Sequence, residues 1–313
     1  MPNISWTYGR RGERVVEVRR SDRIRPSAVF RPYRLKRNRH CSMQGGIMSV
    51  TTSDPIIVGN ISLSFHRAAA GVTRRVLESH GHQVKSVEAK HEELFDLLRN
   101  GDVDVLVSAW LPSSHGRYLS AYRDQVQVLR PHYQPYCVWA VPPYVPVDEV
   151  GEVSDLGRPG IVERMTTAID GINPGAGISR FSATMVGAYG LDRAGYTFTP
   201  GDEESFIARV NRGIATREWF VIPLWRPQYL NRRHRLRRLE EPKGLLGTVD
   251  EACPVISLEA LERIRPEAIS QLDALRLGNN GVEEIDALIN VSGLSPLQAA
   301  DRYLAYHHPA VSP

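Results

Sequence analysis

Residues 102–118, DVDVLVSAWLPSSHGRY, constrain this chain more than any other stretch. Val103, Val105 and Val107 alternate with other residues at the period of a β-strand. Pro112 ends that strand, because proline has no N–H to give to a ladder. Trp110 therefore stands at the carboxyl end of a sheet strand, where open α/β sheets take their ligands. An indole in that place has two readings. It packs into the core, as tryptophans usually do, or its π-face forms one wall of a cage for a cation.

The surrounding chain predicts a parallel α/β unit. Residues 55–63 (PIIVGNISL) read as a buried strand. Residues 64–80 follow as a helix, with Ala68, Val72, Val76 and Leu77 at helical spacing and Gly81 as the stop. A strand at 84–87, a helix at 91–99 and the strand ending at Trp110 complete the unit. Residues 119–150 hold five prolines (Pro131, Pro135, Pro142, Pro143, Pro146) and the aromatics Tyr133, Tyr136, Trp139 and Tyr144. They predict a crossover, with a strand at 138–141 passing between two lobes. A second α/β unit follows, with strands at 169–172, 196–198 and 219–224 and helices from 155 and at 181–189 and 205–212. The end of the chain reads as helices at 258–264, 267–275, 282–289 and 296–307, expected to pack on the first lobe. The expected domains are a leader at 1–53, one lobe from 54–138 plus 226–313, and a second lobe from 139–225.

Composition narrows the function. With 313 residues and 42% hydrophobic content, the chain buries enough for about two domains. No apolar run approaches the roughly 18 residues of a membrane span. Cys41, Cys137 and Cys253 are scattered without CxxC spacing, so free thiols are expected rather than a disulfide or zinc framework. Residues 1–50 carry twelve Lys or Arg against three Asp or Glu, while the whole chain is only +4, so the body is net acidic. Nothing in the body reads as a nucleic-acid surface. The leader lacks the apolar core of a signal peptide. It reads as an unfolded basic arm, or as sequence ahead of a start at Met48. On this reading the body is cytoplasmic, with a periplasmic or membrane-associated location as the alternative.

Three segments converge on one cleft in this layout: Trp110 with the Ser113–Ser114–His115–Gly116 turn, the GINPGAGI loop at 171–178, and Trp225 with Gln228 and Tyr229. The glycine loop matches neither GxGxxG nor GxxxxGK[ST]. Its Gly175, Ala176 and Gly177 still open a helix whose backbone N–H groups suit an anion such as a carboxylate, or else form a plain tight turn. Ser114 and His115, adjacent on a turn and outside any G-x-S-x-G elbow, make a poor nucleophile and base. His66, His91 and His115 show no HxxxH or HExxH spacing, so no metal is expected.

Taken together, GDVDVLVSAWLPSSHGRY, GINPGAGIS with YGLD, and PLWRPQYLN with LEEPKGLLG resemble the glycine betaine/proline betaine substrate-binding proteins of ABC transporters, from about residue 55 to the end. The resemblance implies a two-lobed type II periplasmic-binding-protein fold. Each lobe is then a mostly parallel sheet flanked by helices, and the ligand cleft lies between them. It implies non-catalytic binding of a small quaternary ammonium compound: glycine betaine, choline, carnitine or proline betaine. It also implies an ABC permease as partner, a monomeric chain and no cofactor. Trp110 falls on the family's Trp-Leu-Pro tryptophan and Trp225 on that of its Trp-x-Pro-His-Trp segment. Gln228 stands in place of the usual His, and Tyr229 in place of the usual Trp. Tyr196 is the nearest stand-in for a further family Trp. Phe65 or His66 takes the aromatic position near the first strand. A cytoplasmic sensor or buffer, or an enzyme handling such a ligand, is the alternative.

Overall fold

The structure, a computed structural model, describes residues 54–307; the expected leader and Cys41 lie outside the described residues. The chain begins β1 (Ile56–Ile61), α1 (Ser64–Ser79), β2 (Val84–Ala89), α2 (His91–Asn100), β3 (Val105–Leu111) and α3 (Gly116–Leu119). β1 lies between β2 and β3 and runs parallel to both, with Val58 opposite Ser86 and Val105. The apolar stripe read from the sequence is the buried face of α1, with Ala68, Val72, Val76 and Leu77 inside. Burying a side chain of Val or Leu size contributes about 1.5–3 kcal/mol, so such a stripe pins the helix to the sheet.

β4 (Val126–Val128) and β5 (Tyr136–Val141) follow, then α4 (Pro159–Val162), β6 (Met165–Thr166) and β7 (Ala168–Asp170). Next come α5 (Gly177–Ala188), β8 (Thr197–Thr199), α6 (Glu203–Ala215), β9 (Trp219–Phe220), β10 (Ile222–Arg226), α7 (Leu230–His234) and β11 (Arg237–Arg238). β5 lies between β10 and β11, antiparallel to both. β6 pairs with β9 and β7 with β8, each in parallel. α5 starts at Gly177, earlier than the expected 181, because its first turn is small and polar and carries no apolar period.

The chain ends β12 (Glu251–Ser257), α8 (Leu258–Leu261), α9 (Pro266–Ala274), α10 (Gly278–Asn290) and α11 (Pro296–His307). β12 joins the first sheet, whose order is β2-β1-β3-β12-β4, and runs antiparallel to β3 and β4. No strand is expected there from sequence, because Pro254 argues against a strand in mid-sheet. The register slips between Cys253 and Val255, so the proline sits at an irregularity where the ladder is already broken. α10 and α11 pack on α1. The approach of α11 depends on Gly71, where a Cβ would stand 2.5 Å from the Pro296 carbonyl oxygen. Cys137 and Cys253 are unpaired. Among the described residues, no helix is long and apolar enough to cross a membrane.

Candidate ligand-binding site

One cavity collects the ends of several elements. Leu63, Phe65 and His66 come from the start of α1, and His91 is the first residue of α2. Trp110, Ser114 and His115 come from the end of β3 and its turn. Ile172, Ala176, Gly177 and Ile178 come from the loop into α5, and Trp225 from β10. The free volume is about 20 Å³, room for about one water molecule, so the walls stand close together.

Aromatic rings form one side. Phe65 lies 5.4 Å from Trp110 and 5.8 Å from Trp225, centroid to centroid. Trp225 also packs at 5.3 Å against Phe206 of α6. The Trp110 indole N–H donates to the Tyr133 hydroxyl at 3.1 Å, and its backbone N–H donates to His115 Nδ1 at 2.9 Å. The Trp225 indole nitrogen is buried and has no hydrogen-bond partner among the described residues.

Imidazoles continue this wall, His66 lying 4.3 Å from Phe65 and 5.9 Å from Trp110. The His91 ring lies 5.4 Å from that of His115, and the His66 ring 6.4 Å. Burial holds all three below the ordinary imidazole range. The His91 ring is lowered to about 4, with the Arg180 charge adding to burial. His66 and His115 lie well below the usual value, first by burial and then by their histidine neighbours. All three are neutral near pH 7. No group of three His, Cys, Asp or Glu among the described residues is arranged to hold a metal ion.

The turn after β3 is fixed by Asp250. It accepts from the Ser113 N–H at 2.7 Å, the Ser114 N–H at 3.0 Å and Ser114 Oγ at 2.7 Å. Ser114 Oγ therefore donates to a carboxylate rather than to an imidazole, and no serine–histidine pair forms here. Arg180 ties α5 to the same turn through the Ser114 carbonyl at 2.7 Å. Gly177 lets the two segments touch: a Cβ there would lie 2.6 Å from Ser114 Oγ. Glu203, first residue of α6, accepts from the Ser64 N–H at 2.9 Å and from Ser64 Oγ at 3.0 Å, so it closes the start of α1.

Of the residues expected from sequence, Phe65, Trp110, His115, Ala176, Gly177 and Trp225 line this cavity. Gly175 lies beside it, its carbonyl accepting from the Tyr118 hydroxyl at 2.8 Å. Gln228 and Tyr229 lie against α10, where the Tyr229 N–H donates to Asp286 at 2.9 Å and the Gln228 N–H faces Glu283 at 3.4 Å. Burial pushes the Asp286 carboxyl up to about 7. Tyr196 is buried without lining the cavity. His66 lines it together with Phe65 rather than instead of it. Leu63, His91, Ser114, Ile172 and Ile178 are additional lining residues; the signal for His91 was its place directly after a strand end.

Residues 54–306 match the substrate-binding domain of the ABC-type glycine betaine transport system. The chain belongs to that family. Among its relatives is the glycine betaine/carnitine transport binding protein GbuC of Listeria monocytogenes serotype 1/2a (strain 10403S), 22% identical over 150 residues. That match spans 48% of this chain and 48% of the relative, about half the length of each. Lactococcal OpuAC, solved closed and complexed with glycine betaine, superposes with a TM-score of 0.72 at 24% identity, covering 83% of this chain and 98% of that one. An ABC-transporter choline-binding protein in complex with choline gives 0.71 at 19%, covering 83% and 90%. At these identities the likeness fixes the fold, the two-lobed type II periplasmic-binding-protein architecture. The family is one of substrate-binding proteins rather than enzymes.

Proposed function

We propose that this chain binds a small quaternary ammonium compound, without catalysis, as the substrate-binding component of an ABC transport system. The observation that carries the reading is that Phe65, Trp110 and Trp225 turn three ring systems toward one cavity. A quaternary ammonium has no N–H to donate. It is held instead by the negative faces of aromatic rings, at about 0.5–2 kcal/mol per ring once water is excluded. Three rings contribute a few kcal/mol, and the buried walls supply apolar contact besides. Family membership supports the reading, as do relatives whose names or bound ligands are glycine betaine, carnitine and choline.

On this reading one lobe comprises 54–138 plus 226–313 and the other 139–225, with β5 and β10 as the crossings. A betaine is larger than the present free volume, so it enters by parting these lobes. The α5 start at Gly177 offers unpaired first-turn N–H groups to an anionic end. Isothermal titration of the purified chain with glycine betaine, choline, carnitine and proline betaine tests the proposal. Saturable heat from at least one is expected, and silence from all four overturns it. Transport also requires capture outside the inner membrane. Recovery of the native protein only with cytosol would break the transport half and leave the binding half standing.

A further inference from the structure

We infer that the outer face of the β10-β5-β11 sheet carries a second binding site, for a phosphate monoester with a small apolar body. The phosphate sits among Arg226, Arg232 and Arg238, and the body rests on the strands behind them. The inference goes beyond the quaternary ammonium reading and does not depend on it.

Strand alternation places the site. Successive side chains on a strand take opposite faces, and residues paired across an antiparallel ladder share a face. Trp225 pairs with Cys137 and lines the aromatic cavity. Arg226 pairs with Tyr136, Leu224 with Val138, and Arg238 with Ala140, so these residues stand on the reverse face. There they line a groove with a free volume of about 280 Å³. Small-molecule sites begin at about 300 Å³. The groove shares no lining residue with the aromatic cavity.

The groove has an apolar floor and a basic rim. Val138, Ala140 and Leu224 are buried and form the floor, with Leu236 beside them. The guanidinium groups of the rim come from separate elements: β10, α7 and β11. Asn231 ties α7 to the end of β10, its Nδ2 donating to the carbonyls of Trp225 at 3.0 Å and Gln228 at 2.8 Å. Arg235, at φ +48°, then turns the chain so that β11 returns along β5.

The state of each arginine selects the ligand. Arg226 is committed to the buried Glu283, through Nε at 2.8 Å and Nη2 at 2.6 Å, which neutralises it and holds it in place. Arg238 meets Glu240 at 3.2 Å, but the two side chains are 59% and 69% exposed. Such a pair contributes little in water and yields to a stronger anion. Arg232 is exposed and makes no ion pair among the described residues. A carboxylate is satisfied by one guanidinium fork, whereas a phosphate brings three oxygens and close to two charges. Guanidinium groups gathered from separate elements therefore suit phosphate. The apolar floor calls for an apolar group on its ester oxygen, and a ring there also meets Tyr136.

Isothermal titration of the full chain with phenyl phosphate and with inorganic phosphate, at about pH 7.5, tests the inference. Phenyl phosphate is expected to bind saturably at one site, about tenfold tighter than inorganic phosphate, which leaves the floor bare. Arg232→Gln is expected to weaken phenyl phosphate by about tenfold. Arg233→Gln removes the same charge from an exposed neighbour outside the groove and is expected to change affinity by less than about twofold. Arg238→Gln repeats the test from the other side of the groove, and thermal melts check that each variant folds. Absence of saturable phenyl phosphate binding overturns the site, and equal affinity for the two phosphates overturns the ligand class. Arg232→Gln and Arg233→Gln acting alike would show a diffuse basic field and overturn the site as well.

Discussion

Trp110 and Trp225 close the same cavity but are held by different physics. Trp110 is fixed by two hydrogen bonds, one to His115 and one to Tyr133. The Trp225 backbone is held in the β5–β10 ladder and by Asn231 Nδ2, which donates to its carbonyl at 3.0 Å, but its indole is held by ring contacts, the ring nitrogen unpaired among the described residues. Each precedes a proline by two positions, in Trp-Leu-Pro and Trp-Arg-Pro, so sequence alone makes them look alike. The difference separates a rigid wall, set by polar geometry, from a wall set by packing, which has more freedom to adjust.

The largest expected effect comes from removing each wall. Truncating a buried Trp to Ala costs about 3–5 kcal/mol. Trp110→Ala is expected to cost about 1 kcal/mol more than Trp225→Ala in denaturant unfolding, because it also strands the Tyr133 hydroxyl. Equal costs would break the contrast. Gly177→Ala presses a methyl against Ser114 on the Trp110 side only. A loss of about 1–3 kcal/mol by the same measurement is expected, and an unchanged stability would show that this contact yields freely.

Acidity sharpens the contrast further. His115 titrates far below an unfolded histidine, so its contribution to stability is full above about pH 6.5 and is lost as the pH falls. Each unopposed lowered imidazole then costs about 1.4 kcal/mol per pH unit below that point. Asp286, raised to about 7, works the other way and gains stability as the pH falls from there. A protonated His115 no longer accepts from the Trp110 N–H. Unfolding measured from pH 7 to pH 5 is expected to show a slope that His115→Leu flattens and Phe206→Leu leaves alone. A slope equally altered by both would remove the distinction between the walls. The smallest effect is Tyr133→Phe, about 1 kcal/mol from the lost bond to the Trp110 indole, read by thermal melt.

Much of this was legible in the sequence because periodicity reports burial. β1, α1, α2 and β3 follow their apolar spacing closely, and both tryptophans are found at strand ends. β12 was hidden because Pro254 masks a central strand that tolerates it only through a local slip in register. His66 and His115 were legible as candidates, but His91 was not, because it comes from a separate element and no short motif relates it to the other two. Gln228 and Tyr229 were read from their place in a motif; their backbone N–H groups face α10, and neither residue lines the cavity.

The grip of Glu203 on Ser64 has a mechanical consequence. Two residues far apart in sequence share hydrogen bonds here. On the proposed lobe division, parting the lobes undoes this clasp and wets a carboxyl whose pKa burial raises in the closed state. Opening is thereby eased as the pH rises and resisted as it falls, so release depends on acidity as well as on what the rings hold.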